Sequence, residues 1–209
     1  HGYWTWNLDR VEPRFGGDAA LLSLSEAAKS HGIRLMLDMV YNHVAFDAPL
    51  VSEHPEWFHN EGSIQDWSDP VERVRGDVHG LPDLAQEQDS VYHHLLGRSL
   101  YWARLVDPVG FRVDAIRHLP VDFLARLSED LKAELGDEFW LLGEDFEGDP
   151  LALAARSDQI QFDAMFDFPL RYSMIDVFCG DVAVGRLAAT LSADRAYSNP
   201  NNLVTFLDN

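Results

Sequence analysis

Two hydrophobic rhythms alternate along this chain. In some stretches apolar residues recur every three or four positions, as on one face of a helix; in others they form short unbroken blocks, as in a buried strand. The first rhythm predicts a helix from about Asp18 to His31, with Leu21, Leu24 and Ala28 on one face and Gly32 ending it. Ile33 to Val40 reads as a short apolar strand that breaks at Asp38. A second helix spans about Asp89 to Val106 and stops before Asp107-Pro108. Gly110 to Ala115 is the next strand. Pro120 and Asp122 open a third helix, with Leu124, Leu127, Leu131 and Leu135 at core spacing and Gly136 closing it. Phe139 to Gly143 reads as a strand, Pro150 to Ser157 as a short helix, Gln161 to Leu170 as a strand, Tyr172 to Ala193 as one or two helices, and Leu203 to Leu207 as the last strand. Such alternation is the signature of a parallel α/β sheet or barrel.

One segment departs from the rhythm. Residues 45–87 are rich in Asp, Glu, His, Pro and Trp and lack helical periodicity. A stretch of that length within a compact domain is usually functional or a small subdomain. Its aromatics Trp57, Phe58 and Trp67 argue against a flexible linker, and it reads as an excursion between a strand and its helix.

Composition narrows the function. The chain has 209 residues, 46% of them hydrophobic, which is enough for a sizeable core. With 35 acidic against 16 basic residues its net charge is -19, a field that repels phosphate backbones and anionic membranes but tolerates a neutral sugar. No apolar run approaches the length of a membrane-spanning helix. The single Cys179 rules out an internal disulfide and reads as a packed or partly buried thiol without a catalytic part. The chain opens on His1 and closes on a strand-like run, so it reads as an internal portion of a longer protein; oligomeric state and location are left open.

The strands end in polar residues: Asp38, Asn42 and His43 after the first, Arg112 and Asp114 at the second, Glu144 and Asp145 at the third, Asp208 and Asn209 at the last. In a parallel barrel all these ends open on one face, where active sites are built. Arg112 and Asp114 stand two apart on a strand and point the same way. A guanidinium beside Asp114 is expected to lower its pKa and keep it ionised, as a nucleophile requires. Glu144 follows the apolar run Trp140 to Gly143, and a dry setting suits a proton donor. Such a carboxyl pair can cleave glycosides. Asp145, Glu147 and Asp149 read as a solvated loop, Trp102 as core, and His93-His94 as surface.

These residues also carry a resemblance. Asp38-Met-Val-Tyr-Asn-His43, Gly110-Phe-Arg-Val-Asp-Ala-Ile-Arg-His118, Gly143-Glu144 and Phe206-Leu-Asp-Asn209 resemble, in order, the four conserved regions of the α-amylase superfamily, glycoside hydrolase family 13. His1-Gly-Tyr-Trp4 and Pro13-Arg-Phe-Gly16 are similar to its loop after barrel strand two, and Gly80-Leu-Pro-Asp-Leu84 to a short motif near the end of its domain B. The resemblance implies a partial (β/α)8 TIM barrel: residues 1–44 and 88–209 form barrel domain A, truncated before strand eight, and residues 45–87 form domain B inserted after strand three. It implies a retaining glycoside hydrolase acting on α-glucosidic, mainly α-1,4, bonds of starch, maltodextrin or related oligosaccharides, with Asp114 as nucleophile and Glu144 as general acid/base. Arg112 would orient Asp114, Tyr3 and His43 would contact the sugar at the cleavage point, and Arg117 and His118 would lie toward the leaving-group side. A structural Ca2+ would be held by Asn42, Asp83 and the carbonyl of His118; no organic cofactor is implied. A histidine and the transition-state-stabilising aspartate are expected just beyond Asn209, so the fragment alone is expected to be inactive. A transglycosylase of the same family, or a non-catalytic amylase-like binding protein, are the competing readings.

Overall fold

Strand β1 (Met36–Met39), β2 (Gly110–Val113), β3 (Trp140–Gly143), β4 (Ala164–Phe166) and β5 (Leu203–Val204) form one sheet, paired in chain order and all parallel where each meets the next. The structure, a computed structural model, describes residues 2–208. Parallel neighbours require crossovers, and each gap between strands carries at least one helix. Helix α1 (Gly17–Ser30) precedes β1. The excursion of residues 45–87 holds only short helices, α2 (Pro49–Glu53), α3 (Glu72–Arg75) and three-residue turns of 3-10 helix. Helix α4 (Asp89–Val106) then leads into β2, α5 (Val121–Leu135) joins β2 to β3, α6 (Pro150–Ile160) joins β3 to β4, and α7 (Phe168–Phe178) with α8 (Gly185–Ala193) join β4 to β5. Sequential strand order with helices outside is the arrangement a (β/α) barrel is built from.

The core lies between sheet and helices. Leu124, Leu127 and Leu131 of α5, Val91 and Leu95 of α4, and Phe111, Val113 and Leu141 of the strands are all buried in one cluster. Each such side chain contributes roughly 1.5–3 kcal/mol on leaving water. Helix α1 docks on the end of α4 through the buried hydroxyl of Ser25, which donates to the Val106 carbonyl at 2.8 Å. Gly110 opens β2 because only hydrogen fits there: a Cβ would stand 1.9 Å from the Trp140 carbonyl oxygen of the next strand.

Four expectations change, and the last strand is one of them, ending at Val204 rather than Leu207. The first strand is shorter than Ile33 to Val40, and Asp38 is part of it rather than its end, opposite Arg112 in register. The strand expected from Gln161 to Leu170 stops at Phe166, because the Asp167 side chain accepts from the Leu170 amide at 3.0 Å and caps a helix with Pro169 in its first turn. Cys179 is exposed, since it lies past the end of α7 rather than on its packed face. Trp102 is buried, as core spacing predicts, with its indole N–H donating to the Leu8 carbonyl at 2.8 Å. Among the described residues no helix is long and apolar enough to cross a membrane.

Candidate active site

Strands β1, β2 and β3 bring three carboxyl groups to one guanidinium. Register places Asp38 opposite Arg112, so both side chains project to the same side of the sheet. Arg112 Nη1 donates to Asp38 at 2.8 and 3.0 Å and to Asp114 Oδ1 at 2.6 Å, and Arg112 Nη2 lies 2.5 Å from Glu144 Oε1. Asp114 and Glu144 are thus held on the two arms of a single rigid fork. Arginine can do this because its donors are planar and permanently charged.

Backbone geometry completes the arrangement. Past Asp114 the chain turns sharply at Ala115, a non-glycine residue in the left-handed region (φ 50°). The turn aims two successive amides at the tip of β3: Ala115 N donates to Glu144 Oε2 at 3.2 Å, and Ile116 N to the Glu144 carbonyl at 3.0 Å. Both carboxyl-bearing residues are buried, Asp114 at 8% and Glu144 at 3% exposure.

The electrostatics differ from the simple expectation. Arg112 does pull the Asp114 carboxyl downward, but burial outweighs it and the Glu144 charge adds to the rise, so Asp114 is pushed up to about 7. Burial likewise raises Asp38 against the pull of Arg112. Three carboxyl groups around one cation favour a protonated member for the same reason that paired carboxylates do elsewhere.

The remaining expected residues surround this centre unequally. Tyr3 covers it: its ring centroid is 5.5 Å from the Arg112 guanidinium carbon, its hydroxyl bonds Asp38, and the residue is 45% exposed. His43 is buried, which lowers its pKa, and its Nε2–H donates to the Tyr3 carbonyl at 3.2 Å. His118 is buried too; its Nδ1–H donates to the Arg73 carbonyl at 2.9 Å, and its ring meets half-exposed Trp67 edge to face at 5.7 Å. Arg117 turns to the loop after β3, donating to the Phe146 carbonyl at 3.2 Å. Residues His1 and Asn209 of the resembling motifs lie outside the described residues.

Asn42 and Asp83 come together where residues 43 and 83 form an antiparallel bridge and Leu84 N donates to the Asn42 carbonyl at 2.9 Å. Both are buried, and Asn42 Oδ1 and Asp83 Oδ1 have no hydrogen-bond partner. Orphaned hard oxygens fit a calcium ion. The other oxygen of Asp83 is taken by His59 Nδ1 at 2.6 Å. Burial pushes Asp83 up to about 7, and His59, though burial opposes it, is raised by its acidic partners Asp83 and Glu87.

Sequence reasoning missed the roles of Asp38 and Asp145. Asp38 was visible as a polar residue interrupting an apolar strand, but its partner depended on strand register. Asp145, taken for a solvated residue, is 1% exposed; Arg156 of α6 reaches it from the helix layer at 2.9 Å, and Arg117 of the turn after β2 lies 3.9 Å away. Of the aromatics, Trp57 stacks on His54 at 4.0 Å rather than lying open.

Comparison with known proteins shows the family and the fold. The family model "Alpha amylase, catalytic domain" matches residues 1–193. The Beta/alpha-amylase of Paenibacillus polymyxa is 27% identical over all of this chain and 18% of its own length, and the cyclomaltodextrin glucanotransferase of Klebsiella oxytoca 25% identical over all of this chain and 37% of its own. The crystal structure of the alpha-amylase from Geobacillus thermoleovorans complexed with acarbose superposes with a TM-score of 0.92 at 32% identity, covering 100% of this chain and 47% of that one. The chain therefore spans less than half the length of these relatives, and its five-stranded sheet is a partial barrel. The chain belongs to the alpha-amylase family and corresponds to part of its catalytic domain.

Proposed function

We propose that the protein containing this chain is a retaining glycosidase of α-glucosidic, mainly α-1,4, bonds in starch, maltodextrin or related oligosaccharides. Asp114 attacks the anomeric carbon as Glu144 gives its proton to the departing glycosidic oxygen, and a covalent glycosyl ester on Asp114 results. Glu144 then takes a proton from water as the water oxygen bonds to the anomeric carbon and the bond from that carbon to Asp114 breaks, so two inversions leave the configuration retained. The observation that carries this reading is the shared fork of Arg112, with Asp114 at 2.6 Å on one nitrogen and Glu144 at 2.5 Å on the other. Carboxyl groups held that way suit the spacing of about 5–5.5 Å that retaining chemistry needs. The reactive form has its proton on Glu144 and none on Asp114.

In this reading Tyr3 and His43 face the sugar undergoing cleavage, and Arg117 and His118 belong to the leaving-group side. Residues 45–87 act as domain B and wall one side of the cleft, while 1–44 and 88–209 belong to the barrel. The Asn42 and Asp83 side chains with the His118 carbonyl would hold calcium, whose charge would tie this wall to the barrel.

Hydrolysis and transglycosylation share every residue named here; the similarity to a cyclomaltodextrin glucanotransferase supports the second as an alternative outcome of the same intermediate. A non-catalytic binding role is disfavoured because the nucleophile, the acid and their guanidinium are all retained. Asp114→Asn in the whole protein is expected to abolish turnover of maltoheptaose, and the first product of the native protein to be the α-anomer by NMR. An undiminished rate, or a β-anomer as first product, overturns the assignment.

A further inference from the structure

The loop after β3 is tied to the turn after β2 through Glu144, Phe146 and Glu147. Ala115 N and Ile116 N hold the Glu144 carboxylate and carbonyl at 3.2 and 3.0 Å, and Arg117 Nη1 donates to the Phe146 carbonyl at 3.2 Å and lies 3.4 Å from Glu147 Oε2. Within this loop Asp145 is unusual. Its neighbour Glu144 reaches the Arg112 guanidinium, whereas Asp145 reaches Arg156 of α6 in the helix layer. There it is almost wholly withdrawn from water, with Oδ2 2.9 Å from Nε of Arg156 on α6 and Oδ1 3.9 Å from Arg117 Nη1. A carboxylate is costly to bury and is retained there only with good partners. Helix α6 does not need it for docking, since Asp149 caps the helix at 2.9 Å and Leu153, Ala154 and Ile160 bury its inner face.

We propose that Asp145 is a positioning residue for Glu144: held by Arg156 of α6, with the Arg117 charge nearby but not hydrogen-bonded to it, it sets the direction from which the Glu144 proton reaches the glycosidic oxygen. The inference rests on the reading of Glu144 as proton donor. It makes Arg117 a bracket between the two strand tips as well as a residue of the leaving-group side.

Leaving groups separate positioning from mere structural support. A sugar hydroxyl departs only with a proton supplied, whereas fluoride departs from α-maltosyl fluoride with little help. In the whole protein, Asp145→Asn keeps shape but removes the charge that Arg156 holds and Arg117 lies near. It is expected to lower kcat/KM for maltoheptaose by about a hundredfold, within the span of general-acid contributions, while changing that for α-maltosyl fluoride only about twofold. Glu144→Gln should show the same selectivity more strongly. Equal losses on both substrates, or no loss on either, overturn the positioning role of Asp145. If Glu144→Gln itself shows no selectivity, the proton-donor reading falls first and this inference with it. Should Asp145→Asn fail to fold, Arg156→Gln, which breaks the same ion pair from its other end, must show the same selectivity for the inference to stand.

Discussion

Glu144 Oε1 lies 2.5 Å from Arg112 Nη2, so the carboxyl at the tip of β3 is held by a side chain that belongs to β2. The other arm of that guanidinium meets Asp114 and Asp38. One residue therefore sets the distance between the proposed nucleophile and the proposed acid, and its own position is set by sheet register.

Lysine at this position would carry the charge but not the fork. A single ammonium is a point donor and cannot hold two carboxyl groups on separate, coplanar arms. Arg112→Lys is expected to lower kcat by about 10²–10³-fold, the range seen when one preorganised donor is removed from an active site. KM should move far less. Steady-state kinetics on maltoheptaose checks this, and a kcat near that of the native protein contradicts it.

Acidity at Asp114 acts on activity and stability in opposite senses. Its carboxyl is pushed up to about 7, first by burial, and a nucleophile must be ionised, so kcat/KM should fall as pH drops through about 7. For stability, a folded-state value above the ordinary 3.8 favours the protonated form. That contribution is complete below the unfolded value and is lost as pH rises through about 7. Asp114→Asn, neutral at every pH, should therefore raise Tm at about pH 8 and matter little near pH 4. A lower Tm for the variant at about pH 8 contradicts the sign.

Gly110 is a steric requirement of the sheet. Its absent Cβ would stand 1.9 Å from the Trp140 carbonyl oxygen, and backbone cannot move aside as a flexible side chain can. Gly110→Ala is expected to cost about 3 kcal/mol or more, at or beyond the upper end of overpacking penalties. Because β2 carries Arg112, activity should fall with stability. Chemical denaturation measures the loss, and a change under about 1 kcal/mol contradicts the β2–β3 register.

Calcium should stabilise through oxygens that now lack partners. At a free concentration about a hundredfold above Kd, binding to the folded state alone contributes about 2.7 kcal/mol. Added calcium should raise Tm, and Asp83→Ala or Asn42→Ala should remove the response. An unchanged Tm on calcium addition, with no bound ion by calorimetry, contradicts the assignment of Asn42 and Asp83.

Much of the barrel was legible because its helices advertise themselves. Helix α4 runs from Asp89 to Val106 as its periodicity predicts, and α5 buries the leucines spaced for it. Strand limits were less visible: Phe166 and Phe168 look alike in sequence, and only the Asp167 cap divides strand from helix. At the candidate site, residues close in sequence were legible, as with Arg112 and Asp114 two apart on a strand. Pairings across strands were not, because Asp38 meets Arg112 only once register is known. The acidic loop after Glu144 misled for a related reason. Composition gives its charge, but the arginines near Asp145 come from α6 and from the turn after β2. The Asp114 acidity was misjudged because proximity to Arg112 is local and readable, whereas burial is a property of the whole packing.

The central claim is that Asp114 becomes covalently bonded to the sugar. Treating the whole protein with a fluorinated maltosyl fluoride, which slows breakdown of the intermediate, and sequencing the labelled peptide by mass spectrometry tests it directly. The account predicts one sugar adduct per chain, on Asp114. An adduct on Asp38, Glu144 or any other residue, or product formed with no covalent species, would contradict it.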